Sequence, residues 1–115
     1  RNITEVIRLE ELSFRLTTDF IADETVTILG KRRGFGAENA KKVGESILSS
    51  PRIFVVYVEE EALKKALERY PTHQGRLNLT DVISVIVMEK YRVKEIFSHD
   101  GDFDEVKGIL RKASP

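Results

Sequence analysis

The feature that most constrains the fold is a run of six apolar residues, Ile53-Phe54-Val55-Val56-Tyr57-Val58. The run is rich in β-branched and aromatic residues, and its length is that of a strand. A continuous apolar strand of this kind is typical of a sheet that is covered by helices on both faces. We therefore expect an α/β fold in which this strand lies within the sheet.

Helical and extended segments alternate along the chain, which predicts a single domain built as a three-layer α/β/α sandwich around a parallel sheet. Helices are predicted over residues 4–12, 23–33, 37–48, 59–70 and 81–91, with Thr80 as the N-cap of the fifth, and a last helix from residue 102 to about 112. Strands are predicted over residues 14–20, 53–58 and 95–98. Three strands make a thin sheet, so we expect one more strand to be absent from this chain or supplied by another.

Composition narrows the classes of function. Lys plus Arg and Asp plus Glu both number 19, so the net charge is zero and any contact with nucleic acid must be local. The absence of cysteine excludes disulfides and thiolate catalysis and fits a cytoplasmic protein. No apolar run is long enough to span a bilayer, so a membrane partner is not expected.

Three carboxylates are placed where ligands usually bind in parallel sheets, beyond the carboxyl ends of the strands. Glu24 follows the first predicted strand, Asp100 follows the third, and Asp81 begins a helix that is apolar nearly all round. Because converging carboxylates repel one another, they favour a hard cation between them, and Mg²⁺ or Mn²⁺ is the best match. Such an ion activates water and stabilises charge on phosphate, which is the chemistry of phosphodiester cleavage.

Each acid also has a purely structural explanation, and the spacing does not separate the two. Glu24 and Asp81 could serve only as first-turn acids that offset a helix dipole. Asp100 could form an Asp-Gly turn with Gly101, and Asp102 could cap the last helix instead of joining the metal site.

Three segments, in this order, resemble the later acidic segments of PIN-domain nucleases. They are TDFIADETVTIL at residues 18–29, LTDVISVIVM at residues 79–88 and IFSHDGDF at residues 96–103. The resemblance implies a Mg²⁺- or Mn²⁺-dependent ribonuclease acting on single-stranded RNA, with Glu24, Asp81 and Asp100 as catalytic metal ligands. Compact members of the family are similar to VapC-type toxins, which are neutralised by an antitoxin protein.

The chain departs from the family pattern at its start. PIN domains open with an apolar strand that ends in an aspartate, and nothing before Glu24 fits that description. We expect this strand to be missing from the present sequence, or lost in an inactive member. The alternative function is therefore a non-catalytic PIN-like module that binds RNA or protein. A phospho-acceptor receiver is a third possibility, but the required aspartate and lysine positions are not found.

A homodimer is also consistent with the sequence. The helix predicted over residues 37–48 carries an apolar stripe with small residues that permit close packing. The same stripe would equally serve to cover the sheet.

Overall fold

A computed structural model describes residues 6–8, 15–98 and 101–112. Its strands are β1 (Val6–Arg8), β2 (Arg15–Thr18), β3 (Ile53–Val56), β4 (Glu95–Phe97) and β5 (Leu110–Lys112). Its α-helices are α1 (Asp19–Lys31), α2 (Gly36–Ser49), α3 (Glu60–Arg69) and α4 (Leu79–Tyr91), and Tyr70–His73 and Gly101–Glu105 form 3-10 helices. Within the described residues, no helix combines the length and the apolar character needed to cross a bilayer.

The five strands form one sheet in the order β3-β2-β1-β4-β5. β2 pairs with β3 and β4 pairs with β5 in parallel, whereas β1 is antiparallel to both β2 and β4. It follows that β2, β3, β4 and β5 all run in the same direction. The carboxyl ends of these four strands therefore lie at one edge of the sheet, as the sequence predicted.

The start of the chain differs from the prediction. Residues 4–12 were expected to be helical, but Val6–Arg8 forms the central strand, with Ile7 paired with Leu16 on one side and Ile96 on the other. The expectation of only three strands was therefore wrong, and this added strand runs against the direction of the four parallel ones. The β-branched Val6 and Ile7 favour extended backbone, and two neighbouring strands supply hydrogen-bond partners for it.

The end of the chain also differs. Instead of a helix from residue 102 to 112, the chain forms the short 3-10 helix Gly101–Glu105 and then β5. Gly108 lies between them with φ of 82°, a left-handed conformation that interrupts a right-handed helix. β5 then continues the sheet beside β4, with Ile96 opposite Arg111.

Helix α4 forms the centre of the core, as its all-round apolar sequence predicted. Every residue from Asp81 to Met88 is buried. The core cluster joins this helix to α3 through Ala66 and to the sheet through Leu16, Val56 and Ile96. α1 and α2 pack against each other as a second helix pair, with Leu29 and Ala40 buried.

The strand predicted over residues 53–58 forms over Ile53–Val56, but its environment was not predicted correctly. β3 lies at the edge of the sheet, and the side chain of Phe54 is 52% exposed. It makes an edge-to-face contact with Tyr91 at the end of α4. The strand is therefore apolar without being covered on both faces.

Candidate metal centre

The carboxyl edge of the sheet determines where the predicted acids lie. β2 leads directly into α1, which carries Glu24, and β4 is followed by the 3-10 helix that carries Asp102. Both segments therefore leave the sheet at the edge where the parallel strands end. This is the position at which open α/β sheets bind their ligands.

Asp81 is the most buried of the predicted ligands that the structure describes, since it is only 1% exposed. It lies in the first turn of α4, and Asn78, not Thr80 as predicted, is the N-cap residue. Oδ1 of Asn78 accepts a hydrogen bond from the backbone N–H of Asp81 at 2.9 Å, and the backbone N–H of Asn78 donates to Oδ2 of Asp81 at 3.1 Å. This reciprocal capping box fixes the orientation of the carboxylate.

Glu24 lies in the second turn of α1, because the helix begins at Asp19 and not at Asp23 as the sequence suggested. The Thr18 side chain caps the helix by accepting a hydrogen bond from the backbone N–H of Ile21 at 3.1 Å. Glu24 is half-buried beside the inward-facing Thr25, whereas Asp23 is exposed. Of these two neighbouring acids, Glu24 is the less exposed one.

Asp102 lies half-buried in the 3-10 helix Gly101–Glu105. The next residue, Phe103, is fully buried in the core cluster, and it anchors this helix against α4. Asp102 does not cap a following helix, because none forms there. Asp100, the fourth predicted ligand, lies outside the described residues.

Two contacts that the sequence did not predict tie segments carrying predicted acids to other parts of the chain. Oδ1 of Asp19 accepts a hydrogen bond at 2.9 Å from the backbone N–H of Val58, which ties the start of α1 to the segment that follows β3. Arg76, in the loop before α4, pairs with Glu105 at the end of the 3-10 helix. The hydrogen bond from Arg76 to Glu105 raises the pKa of Arg76, and the nearby Asp102 carboxylate adds to the effect.

Residues 1–109 of the chain match the model of the PIN domain. The chain belongs to the PIN domain family. A crystal structure of Mycobacterium tuberculosis VapC20, a toxin that cleaves the sarcin–ricin loop, has a similar fold, with a TM-score of 0.69 and 27% sequence identity. The similarity covers 77% of this chain and 67% of the VapC20 chain. No curated protein matches the chain significantly.

Membership of the PIN domain family confirms the resemblance and the α/β fold class that the sequence indicated. It also supports a ribonuclease of the toxin kind as the general class of function. The roles of Glu24, Asp81, Asp100 and Asp102 remain predictions from the sequence.

The donor chemistry of this PIN domain fits a hard divalent cation. Glu24, Asp81 and Asp102 offer carboxylate oxygens, which Mg²⁺ and Mn²⁺ prefer, and the burial of Asp81 carries a desolvation cost that a neighbouring cation would offset. Among residues 15–98 and 101–112, no three His, Asp or Glu side chains lie close enough together to hold one ion. In the described residues, Glu24, Asp81 and Asp102 therefore do not form one three-carboxylate site, and the ligand set that includes Asp100 stays a prediction.

A groove with a volume of about 710 Å³ runs between the end of β3 and helices α3 and α4 of the PIN domain. Its walls mix apolar side chains such as Val58 and Ile86 with charged ones such as Glu61 and Lys90. Glu24, Asp81 and Asp102 do not line it. The groove is therefore separate from the candidate metal centre.

Proposed function

We propose that this chain is a divalent-metal-dependent endoribonuclease that cleaves phosphodiester bonds of single-stranded RNA, and that it is the toxin of a toxin–antitoxin pair. The match to the PIN domain and the likeness to VapC20 support the general class. The observation that carries the catalytic part is the carboxylate of Asp81. It is buried and held in a fixed orientation at a helix N-terminus, on a chain with the acidic segments of PIN nucleases on either side of it.

In this proposal Mg²⁺ or Mn²⁺ is held by Glu24, Asp81 and Asp100, with Asp102 as a further ligand. When bound, the ion would lower the pKa of an attacking water and stabilise the negative charge on the phosphate. The protein contributes the orientation of its carboxylates. For Asp81 this comes from the capping box with Asn78, and for Asp102 from the burial of Phe103 beside it.

The likeness to VapC20 supports a proposal for the RNA target and the protein partner. A sarcin–ricin loop RNA is the first substrate to test, because VapC20 is a toxin that cleaves that loop. An antitoxin protein that binds and inhibits this chain is the expected partner.

A homodimer stays part of the proposal. The stripe on α2 packs mainly against α1 through Ala40, while Leu48 at its end is 60% exposed and available to a second copy. Light scattering at micromolar concentration distinguishes a dimer from a monomer.

The metal site is tested by the substitutions Asp81→Asn and Glu24→Gln in the full-length protein. We expect each to lower Mn²⁺-dependent cleavage of the RNA by several orders of magnitude, since each removes a charged ligand and keeps the size of the side chain. In Asp81→Asn, the amide oxygen of the new side chain can still accept the hydrogen bond from the backbone N–H of Asn78, so α4 should keep its cap.

Asp23→Asn is the matched control for Glu24→Gln. Asp23 is the neighbouring acid on α1, it is exposed, and its Oδ1 accepts a long hydrogen bond of 3.4 Å from the Thr27 hydroxyl. This variant should cleave RNA at the wild-type rate. Cleavage at the wild-type rate by a folded Asp81→Asn variant would reject the metal site. A wild-type protein that binds RNA but shows no metal-dependent cleavage would favour the alternative function, a non-catalytic binding module.

A further inference from the structure

Arg111 makes hydrogen bonds to two residues, Ser98 and Asp104, that lie on either side of the predicted ligand Asp102 in the sequence. Its Nε and Nη2 donate to Oδ1 and Oδ2 of Asp104 at 2.9 and 3.2 Å, which is a bidentate pair. Its Nη1 donates to the backbone carbonyl of Ser98 at 3.1 Å. One guanidinium group therefore links the 3-10 helix that carries Asp102 to the residue that follows β4.

The backbone of Arg111 is fixed independently of these contacts. Arg111 lies in the middle of β5, opposite Ile96 of β4, and the backbone N–H of Ser98 donates to the carbonyl of Lys112 at 2.9 Å. The sheet therefore holds the base of the side chain while the planar guanidinium holds Asp104. A bidentate pair of this kind sets an orientation as well as a distance.

The exposure of the pair indicates what it contributes. The side chains of Arg111 and Asp104 are 25% and 57% exposed, and ion pairs this accessible to water add little to global stability. The consequence of the contact is therefore geometric: it sets where the 3-10 helix lies relative to the end of β4.

We propose that Arg111 is a positioning residue, which holds the 3-10 helix Gly101–Glu105 so that Asp102 is presented to the metal ion. The proposal rests on the proposed function, because it takes Asp102 as a metal ligand. In this proposal Arg111 contacts neither the ion nor the RNA. It acts through Asp104, and so the two residues form one unit.

The test measures Mn²⁺ affinity by calorimetry on the full-length protein, with RNA cleavage as a second readout. Arg111→Gln should raise the dissociation constant for Mn²⁺ by about 10- to 100-fold, the usual cost of losing a group that orients metal ligands. Arg111→Lys should show most of this loss, because an ammonium group cannot reproduce the bidentate contact and the bond to Ser98 together. Because Arg111→Lys keeps the positive charge, it provides a second test if the Arg111→Gln variant does not fold.

The coupling to Asp104 provides the decisive comparison. Asp104→Asn should weaken Mn²⁺ binding to a similar extent, and the double variant should be no worse than either single one, since both break the same contact. Lys112→Gln is the matched control, because Lys112 is the next residue of β5 and pairs with Glu95 at 2.9 Å instead. It should bind Mn²⁺ as the wild type does.

The possible outcomes separate this inference from the proposed function. Unchanged Mn²⁺ affinity in Arg111→Gln, with a raised KM for RNA, would overturn the inference and indicate that Arg111 contacts RNA directly. Additive losses in the double variant would also overturn it. If the wild type binds Mn²⁺ and the Arg111 variants bind it more weakly as expected, but the wild type does not cleave RNA, the nuclease proposal is rejected and the positioning role stands. A wild-type protein that does not bind Mn²⁺ would reject both.

Discussion

Gly44 of α2 faces α1, and a Cβ added to it would lie 2.8 Å from Cγ2 of Val26. That distance is too short for two carbon atoms, and valine cannot easily move aside because its side chain is stiff at χ1. Gly30 of α1 lies in the same helix pair, but a Cβ there would meet the Cβ of Ala40 at an ordinary 3.7 Å. Close packing therefore disfavours a side chain at Gly44, whereas there is room for one at Gly30.

We predict that Gly44→Ala and Gly30→Ala change the free energy of unfolding in different directions. Gly30→Ala should stabilise the protein by about 0.5–1 kcal/mol, because alanine is the better helix former. The free energy of unfolding of Gly44→Ala should be about 1–3 kcal/mol lower than that of Gly30→Ala, because the added methyl group overpacks the contact with Val26. Urea denaturation of both variants measures the difference.

Shortening Val26 checks the cause. The double variant Val26→Ala with Gly44→Ala should recover part of the loss that Gly44→Ala suffers relative to Gly30→Ala. If Gly30→Ala and Gly44→Ala had equal stability, the close approach of α2 to Val26 would not be a feature of the folded protein.

At the level of the elements, the start of α4 shows what the local sequence did and did not reveal. Both Asn78 and Thr80 are good N-cap residues, and the prediction chose Thr80. The structure uses Asn78, with Leu77 before the cap and Val82 after it both buried in the core cluster. This hydrophobic staple, together with the Asn-x-x-Asp spacing of a capping box, was the overlooked signal.

The capping arrangement gives a prediction for α4. Asn78→Ala should lower the free energy of unfolding by about 1 kcal/mol, the usual cost of losing an N-cap side chain. Asn78→Asp should cost less, because the carboxylate can accept the same hydrogen bond from the backbone N–H of Asp81. Thr80→Val, which removes a hydroxyl from the residue wrongly predicted to be the cap, serves as the control. A larger loss for Thr80→Val than for Asn78→Ala would contradict the assignment.

The elements that the sequence predicted best are those whose pattern is long and periodic. The helices α2, α3 and α4 were located within a few residues, because their apolar residues recur over three or more turns. β1 and β5 were missed because each has only three residues, and their hydrogen bonds come from strands elsewhere in the sequence. Pairing of that kind leaves no periodic signal in a short segment.

Some features of the candidate site could likewise be predicted from the sequence, and others could not. The sequence predicted acidic segments at the carboxyl edge of the sheet from strand direction alone, and in the structure α1 and the 3-10 helix follow β2 and β4 at that edge. The contacts that hold those segments, such as Arg111 to Asp104 and Asp19 to Val58, join residues on different elements. They depend on which strands become neighbours, and β5 was expected to be a helix.

For the whole molecule, the balance of charge limits how RNA can be bound. The 19 basic and 19 acidic residues cancel, so the chain has no net positive charge to attract the RNA backbone over a distance. Several basic residues are also engaged with acids, among them Arg69 with Glu89 and Arg76 with Glu105. In the proposed nuclease, RNA affinity must therefore come from a few local contacts and the proposed metal ion.

This charge balance predicts a weak dependence of RNA binding on salt. For a single-stranded RNA, the slope of log K against log salt concentration is roughly −0.7 for each phosphate that a basic residue neutralises. With two or three such contacts the slope should be about −1.5 to −2. Fluorescence anisotropy with the Asp81→Asn variant, which should bind without cleaving, measures it at fixed Mn²⁺ concentration. A slope steeper than about −4 would mean that roughly six or more phosphates are neutralised, which requires an extended basic face and contradicts recognition by local contacts.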